Sequence, residues 1–334
     1  MKKRGMVGAW LLVTFVVVVV LGVYGGIASA AKYQIGWAME SMSHPWLVQH
    51  VDEGNKVVAG HPDVELVVRD GQDKITKMIS DIEDLLVGGV DFILITPGKT
   101  VGLEAVLKRV REAGIPYAFV GKGYKDPNAL FFMADDNFQC GQILGYYHTW
   151  ILGAKGNVVE LFGIPGDATA IERSKGFHSV IDNYPGIKVV ANIPADYRRE
   201  PAVKAMEDIL QAHPEGTIDS VFAANGEMGM GAAIAAKRAG RLGEFFITTI
   251  DAGKWEVEGI INGEIGASAA YRICGTAGVT LAIGYLKGEV RKEDIAKVIH
   301  PPAKLVDPVN AEESLPEEEV LFLSWKAELE DIVQ

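Results

Sequence analysis

From Tyr33 onward, short apolar runs rich in Val, Ile and Phe alternate with longer amphipathic stretches, and this alternation restricts the fold more than any other feature. Tyr33–Met39 reads as a strand and Pro45–Ala59 as a helix. Val64–Arg69, Asp91–Thr96 and Tyr117–Val120 follow as strands, with Ile75–Val87 and Gly102–Ala113 helical between them. The second half repeats the pattern, with strands at Asn157–Phe162, Lys188–Ile193, Ser220–Ala224, Phe245–Ile250 and Ala267–Tyr271 and a last helix at Gly275–Lys287. Continuous apolar strands divided by helices belong to parallel sheets covered on both faces. Right-handed crossovers then bring every strand's carboxyl end to one edge. There are too many strands for one sheet, and a break falls at Phe131–Asn137. The fold class expected is therefore α/β, with an N-terminal lobe over 32–134 plus 272–299 and a C-terminal lobe over 135–271 plus the tail 300–334. No low-complexity linker separates the lobes, so three chain crossings are expected to form the hinge. In the tail, Pro301–Asn310 is proline-rich and extended, and Glu317–Glu319 reads as an acidic surface run.

The first thirty residues have a different composition. Lys2, Lys3 and Arg4 precede the apolar run Val7–Val23, and Ala28-Ser29-Ala30 supplies a small-x-small cleavage pattern. Residues 1–30 are thus expected to be a cleaved signal peptide and the mature protein periplasmic; the competing reading is an uncleaved N-terminal membrane anchor. No Cys lies near the site to carry a lipid. Cleavage removes three basic residues, taking the formal charge from −12 to −15. That acidity argues against nucleic acid and anionic lipid as partners. The 304 residues left exceed what one compact core usually holds, consistent with two lobes. Cys140 and Cys274 are the only thiols, and sequence alone leaves open whether they pair or sit as small buried hydrophobes.

Motifs for chemistry fail one by one. Gly98-Lys99-Thr100 ends like a phosphate-binding loop, but Ile93 holds the earlier glycine position. Gly229-Met230-Gly231 opens like a dinucleotide fingerprint that Ile234 breaks. The seven histidines show no metal-ligand spacing, and no Gly-x-Ser-x-Gly elbow occurs. Asp135-Asp136 reads as a turn and a cap. No catalytic residue, metal or cofactor is assigned, and the chain is not expected to be an enzyme.

Residues just past the strands should line a cleft, where open α/β folds bind ligands. They are His44 and Trp46 after the first strand, Lys122 after the fourth, and Tyr197, Asn225, Asp251 and Tyr271 further on. Arg173 joins them from the unit Val158–Phe177, a strand, a Gly-Ile-Pro-Gly turn and a helix that Asp167 or Thr169 can cap. Flat aromatic faces mixed with charged and amide groups suit a small polyhydroxylated ligand, which offers C–H faces for stacking and hydroxyls that donate and accept.

Several ordered segments carry a family likeness. Ser43-His44-Pro45-Trp46-Leu47 is similar to Asn-Asn-Pro-Phe-Phe, and Ile171–Phe177 resembles Arg-Glu-Arg-Gly-Glu-Gly-Phe, whose second arginine corresponds to Arg173. Pro194-Ala195-Asp196-Tyr197 resembles Pro-Ala-Asp-Phe. Val221–Met228 resembles Val-Phe-Ala-Gln-Asn-Asp-Glu-Met, and Ile250-Asp251 the Phe-Asp that follows. Together these resemble the ribose-binding-protein branch of the type I periplasmic binding proteins serving ABC sugar importers. The resemblance implies two Rossmann-like lobes with parallel sheets, and hinge closure around a sugar or polyol-like ligand held by the eight residues named. It also implies monomeric delivery to an ABC permease in the inner membrane. A periplasmic sensor engaging a chemoreceptor or sensor kinase is the alternative; an exported sugar-modifying enzyme is a further one. Departures bear on the cargo: Gly121-Lys122 replaces Asp-Arg, His44 an Asn, Trp46 a Phe, and Tyr271 stands near a Gln position. Losing an acid while keeping Arg173 implies a more basic pocket than the family's and tells against D-ribose.

Overall fold

The computed structural model describes residues 32–316, 322, 323, 325 and 329–333; the expected signal peptide and the run Glu317–Glu319 lie outside the described residues. The first half lays down β1 (Tyr33–Met39), α1 (Pro45–Ala59), β2 (Val64–Asp70), α2 (Ile75–Gly88), β3 (Phe92–Thr96), α3 (Glu104–Glu112), β4 (Tyr117–Val120) and β5 (Phe132–Met133). The second half follows with α4 (Asn137–Ile151), β6 (Lys155–Phe162), α5 (Ala168–Ile181), β7 (Gly186–Pro194), α6 (Arg199–Ala212), β8 (Ser220–Ala223), α7 (Gly226–Arg238), β9 (Phe246–Asp251), α8 (Lys254–Ile261) and β10 (Ala267–Ala270). Then come α9 (Gly275–Lys287), β11 (Val298–Ile299), β12 (Leu305–Val306), α10 (Ala311–Ser314) and α11 (Leu329–Ile332).

Two six-stranded sheets result, ordered β11-β5-β4-β3-β1-β2 and β12-β10-β9-β8-β6-β7. Among the described residues every pairing is parallel except that of β10 with β12. The α/β class with two parallel-dominated sheets is as the alternation requires. What sequence missed are β5, β11 and β12, two residues each, too short for any period to register. The chain passes between sheets at residues 134–136, 271–274 and 300–304. These passages are stitched together: the Arg272 amide donates to Asp135 Oδ2 at 2.5 Å, and His300 Nδ1 lies 2.5 Å from the Ala134 carbonyl oxygen. Burial pushes the Asp135 carboxyl up to about 7, against the pull of Arg272.

The tail serves both lobes. β12 extends the second sheet and α10 packs on α8, whereas α11 packs on α9, which itself covers α1 and β3 of the first lobe. Cys140 and Cys274 are both free and buried, and burial raises both thiols above their ordinary range.

Local chemistry fixes the helix starts that point at the cleft. His44 caps α1, with Pro45 at the first helical position. Asp136, Asp167 and Asn225 cap α4, α5 and α7 by accepting amides three residues on. Helices α4 and α5 touch backbone to backbone. A β-carbon on Gly141 would lie 2.1 Å from the Arg173 carbonyl oxygen, and one on Gly176 2.0 Å from that of Phe138. Only glycine permits this approach, which brings Arg173 under the sheet edge. Behind it Phe177 stacks on Phe222 (centroids 4.2 Å, 16°), each ring contributing about 1.5–3 kcal/mol by burial.

Candidate ligand-binding cleft

Between the two strand edges lies a cleft of about 350 Å³. The first lobe contributes the start of α1. His44 Nδ1 accepts the Trp46 amide at 3.1 Å, and burial, followed by the charge of Lys122, lowers its pKa. His44 and Pro45 line the cleft; Trp46 lies behind them, 5 % exposed. The Trp46 ring packs on His50 (4.1 Å) and stacks on Tyr271 (5.4 Å, 29°), with its Nε1 buried and without a hydrogen-bond partner among the described residues. His50 accepts the Cys274 amide on Nε2 (3.2 Å) and donates from Nδ1 to the Trp46 carbonyl (3.0 Å), so the ring is neutral; burial lowers its pKa to about 4.

This aromatic block explains Gly121. Its φ is +77°, and a β-carbon there would lie 2.7 Å from His50 Nε2 and 3.1 Å from the Trp46 ring. An acid cannot stand at 121, and the acid comes instead from the end of β1. Glu40 Oε1 lies 2.6 Å from Lys122 Nζ, which sits 5.6 Å from the Trp46 ring centroid. The expectation of a more basic pocket does not hold at this edge, because Lys122 carries its own carboxylate.

The second lobe contributes buried charge. Arg173 is 4 % exposed; its Nη1 donates to the Ala224 carbonyl at 2.6 Å and its Nε to Asn137 Oδ1 at 3.0 Å. Nη2 faces Asp251 Oδ1 at 3.7 Å, too long for a full hydrogen bond. The guanidinium also lies over Tyr271 (4.7 Å) and Tyr197 (6.0 Å). Asp251 ends β9 at φ +136°, followed by Ala252 at φ +50°, a strained pair that turns the carboxylate inward. Burial raises its pKa to about 6, opposed by Arg173 and by the Gly226 amide 3.3 Å from Oδ2. Tyr197, at φ +58°, donates its hydroxyl to Asp167 Oδ1 at 2.8 Å. Asn225 spends its side chain on backbone: Oδ1 accepts the Met228 amide and Nδ2 donates to the Tyr197 carbonyl.

Of the sequence-expected residues, His44, Tyr197, Asn225 and Asp251 line the cleft. Trp46, Arg173 and Tyr271 form the layer beneath, joined by the stacks above, and Lys122 flanks Trp46. Sequence reading missed Arg198, Arg199, Glu227, Trp255, Glu256 and Phe322. Glu256 had a signal: it stands three residues after Gly253, the cap of α8, where a carboxylate reaches back over the helix start. It is fully buried, its oxygens against Gly226 and Gly253, and burial, reinforced by Asp251, pushes it to about 8. Phe322 had none, because its polar partner, Gln49, lies 273 residues away.

Among the described residues no group of three or more His, Cys, Asp or Glu side chains could hold a metal. What the arrangement offers is hydrogen-bonding charge in a dry wall beside aromatic faces, suited to gripping a neutral polar molecule.

Comparison with known proteins agrees with this geometry. Residues 35–289 match the family model described as periplasmic binding protein domain. The ribose import binding protein of Bacillus subtilis is 28 % identical over 276 residues, 82 % of this chain and 87 % of that protein. An ABC transporter solute binding protein from Bacillus halodurans with bound myo-inositol superimposes at a TM-score of 0.78 with 25 % identity, over 85 % of this chain and 97 % of that one. The fructose binding periplasmic domain of a hybrid two component system superimposes at 0.76 with 29 % identity, over 84 % and 92 %. With its two parallel sheets and its charged, aromatic cleft, this chain belongs to the periplasmic binding protein domain family.

Proposed function

We propose that the chain is the substrate-binding protein of an ABC importer, capturing a small sugar or polyol between its lobes and handing it to an inner-membrane permease. The observation that carries this is the Arg173–Asp251 pair at the edge of the second sheet, 3.7 Å apart, with the arginine buried and the aspartate partly open to the cleft. A ligand hydroxyl can accept from Arg173 and donate to Asp251, completing hydrogen bonds that the protein alone leaves long. Removed from water, such charge-assisted bonds are stronger than neutral ones. Tyr197 supplies a flat face for C–H surface, backed by the Trp46–Tyr271 stack beneath the cleft. The proteins it resembles in sequence and structure are described by ribose import, myo-inositol and fructose binding, all polyhydroxylated cargo.

Binding of this kind needs no chemical step. Contacts from both lobes favour the closed form by their differential affinity for it over the open one. Micromolar capture requires about 8 kcal/mol net, within reach of a few charge-assisted bonds and one stacked ring. Residues 1–30 act as a cleaved export signal and the mature protein works as a periplasmic monomer. The second reading, presentation of the ligand to a chemoreceptor or sensor kinase, is favoured by the likeness to a two component system domain. Thermal melting of the mature protein against pentoses, hexoses, pentitols, hexitols and inositol tests the proposal. A cargo at 100 times its Kd raises stability by about 2.7 kcal/mol; a panel without any shift overturns it. Loss of cargo uptake in a deletion strain, against loss of response only, separates importer from sensor.

A further inference from the structure

Among the described residues, Phe322 is the only part of the cleft wall that lies beyond residue 289, where the family match ends. It is held from both lobes. Gln49 of α1 clamps its backbone twice, accepting the Phe322 amide on Oε1 at 3.0 Å and donating from Nε2 to the Phe322 carbonyl at 2.9 Å. In the second lobe its ring meets Trp255 edge-on (5.8 Å, 76°) and lies against Gly253, where a β-carbon would come within 3.1 Å of it. The following residues pair with the hinge passage: Ile273 donates to the Leu323 carbonyl at 2.9 Å, and Trp325 donates to the Ile273 carbonyl at 2.8 Å. The ring is 3 % exposed and Gln49 9 %, so the clamp is a buried, built feature.

Taking the cargo to be a sugar or polyol, as proposed above, we propose that Phe322 is a specificity-determining residue. With Trp255 it walls the cleft with hydrocarbon and confines the cargo to a single ring or a polyol of similar size. An aromatic edge packs well on C–H surface but cannot hydrogen-bond the hydroxyls of a second sugar unit, whose desolvation would go uncompensated. The tail thereby reads cargo length, while the charged pair reads hydroxyls.

Calorimetric titration of D-ribose, D-galactose, xylitol, myo-inositol and maltose into the parent, Phe322→Ala, Phe322→Leu and Gln49→Ala tests this. The parent is expected to bind at least one single-unit ligand and to reject maltose. Phe322→Ala should weaken the best single-unit ligand about tenfold and narrow the gap to maltose. Phe322→Leu, which keeps an apolar anchor for the tail, should shift the ranking in the same direction by less, as should Gln49→Ala. Unchanged affinities in the Ala and Leu variants, or a uniform loss that leaves the ranking intact, overturn the role of Phe322. A parent that binds none of the panel overturns the cargo reading itself, and the length filter with it.

Discussion

Where the first lobe faces the cleft, its charged groups Lys122 and Glu40 are already paired; where the second lobe faces it, one charged pair stands too far apart to bond fully. His44 Nδ1 is bound to the Trp46 amide and Lys122 to Glu40. Trp46 and Tyr271 stack on each other. Across the cleft, Arg173 and Asp251 stand 3.7 Å apart, and the Glu256 carboxyl is fully buried against Gly226 and Gly253. The difference assigns labour. Unspent hydrogen-bonding capacity in a dry wall is worth most to a ligand, so in the function proposed the second lobe is the expected source of affinity. The first lobe is then the expected source of shape and apolar contact.

Substitutions on the two edges should therefore differ in kind. The largest effect is expected for Arg173→Ala, which leaves the partly exposed Asp251 without its cation: a stability loss of about 2–4 kcal/mol in denaturant melts, and cargo affinity down by more than about 100-fold. Asp251→Asn keeps the shape but removes the charge, and titration should show roughly 10- to 150-fold weaker binding, matching 1.5–3 kcal/mol for a charged hydrogen bond. On the first-lobe edge, Gly121→Asp places a side chain against His50 at positive φ, so it should cost about 1–3 kcal/mol of stability without improving affinity.

A pH experiment sharpens the contrast further. Glu256 has its folded pKa raised from 4.5 to about 8, so its proton stabilises the native state fully below 4.5. That contribution is lost as pH rises towards 8, because the unfolded chain ionises first. Glu256→Gln, neutral throughout, should gain stability relative to the parent across this window, by at most about 1.4 kcal/mol per pH unit. A gap in the melting curves that stays flat from pH 4.5 to 8 would refute a buried protonated Glu256. The smallest effect belongs to Lys122→Met: a partly exposed, already paired lysine should change stability by no more than about 1 kcal/mol and affinity by only a few-fold.

The fold was legible wherever period and punctuation coincide. Pro45–Ala59 and Gly275–Lys287 form helices with the bounds expected, one opening on a proline and the other closing before Gly288. The central strands were equally plain because both their faces are buried. Two-residue strands such as β5 and β11 carry no pattern and exist only because a neighbouring edge pairs with them. In the cleft, residues at strand ends, such as Asp251, could be named from order along the chain. Trp255 and Glu256 lie in the first turn of the next helix, and Phe322 arrives from a distant tail, so none of the three follows from strand position. His50 reads as an ordinary helical residue, yet it sets what can stand at 121. That dependence is a contact, and contacts between remote segments are not written in local spacing.

The most direct test of the division between the lobes is calorimetric titration of the strongest single-unit ligand into the parent, Asp251→Asn and Lys122→Met side by side. The division between the lobes predicts saturable one-to-one binding to the parent, a loss of at least about tenfold in Asp251→Asn and nearly parental affinity in Lys122→Met. Equal losses in the two variants, or a larger loss in Lys122→Met, would contradict it.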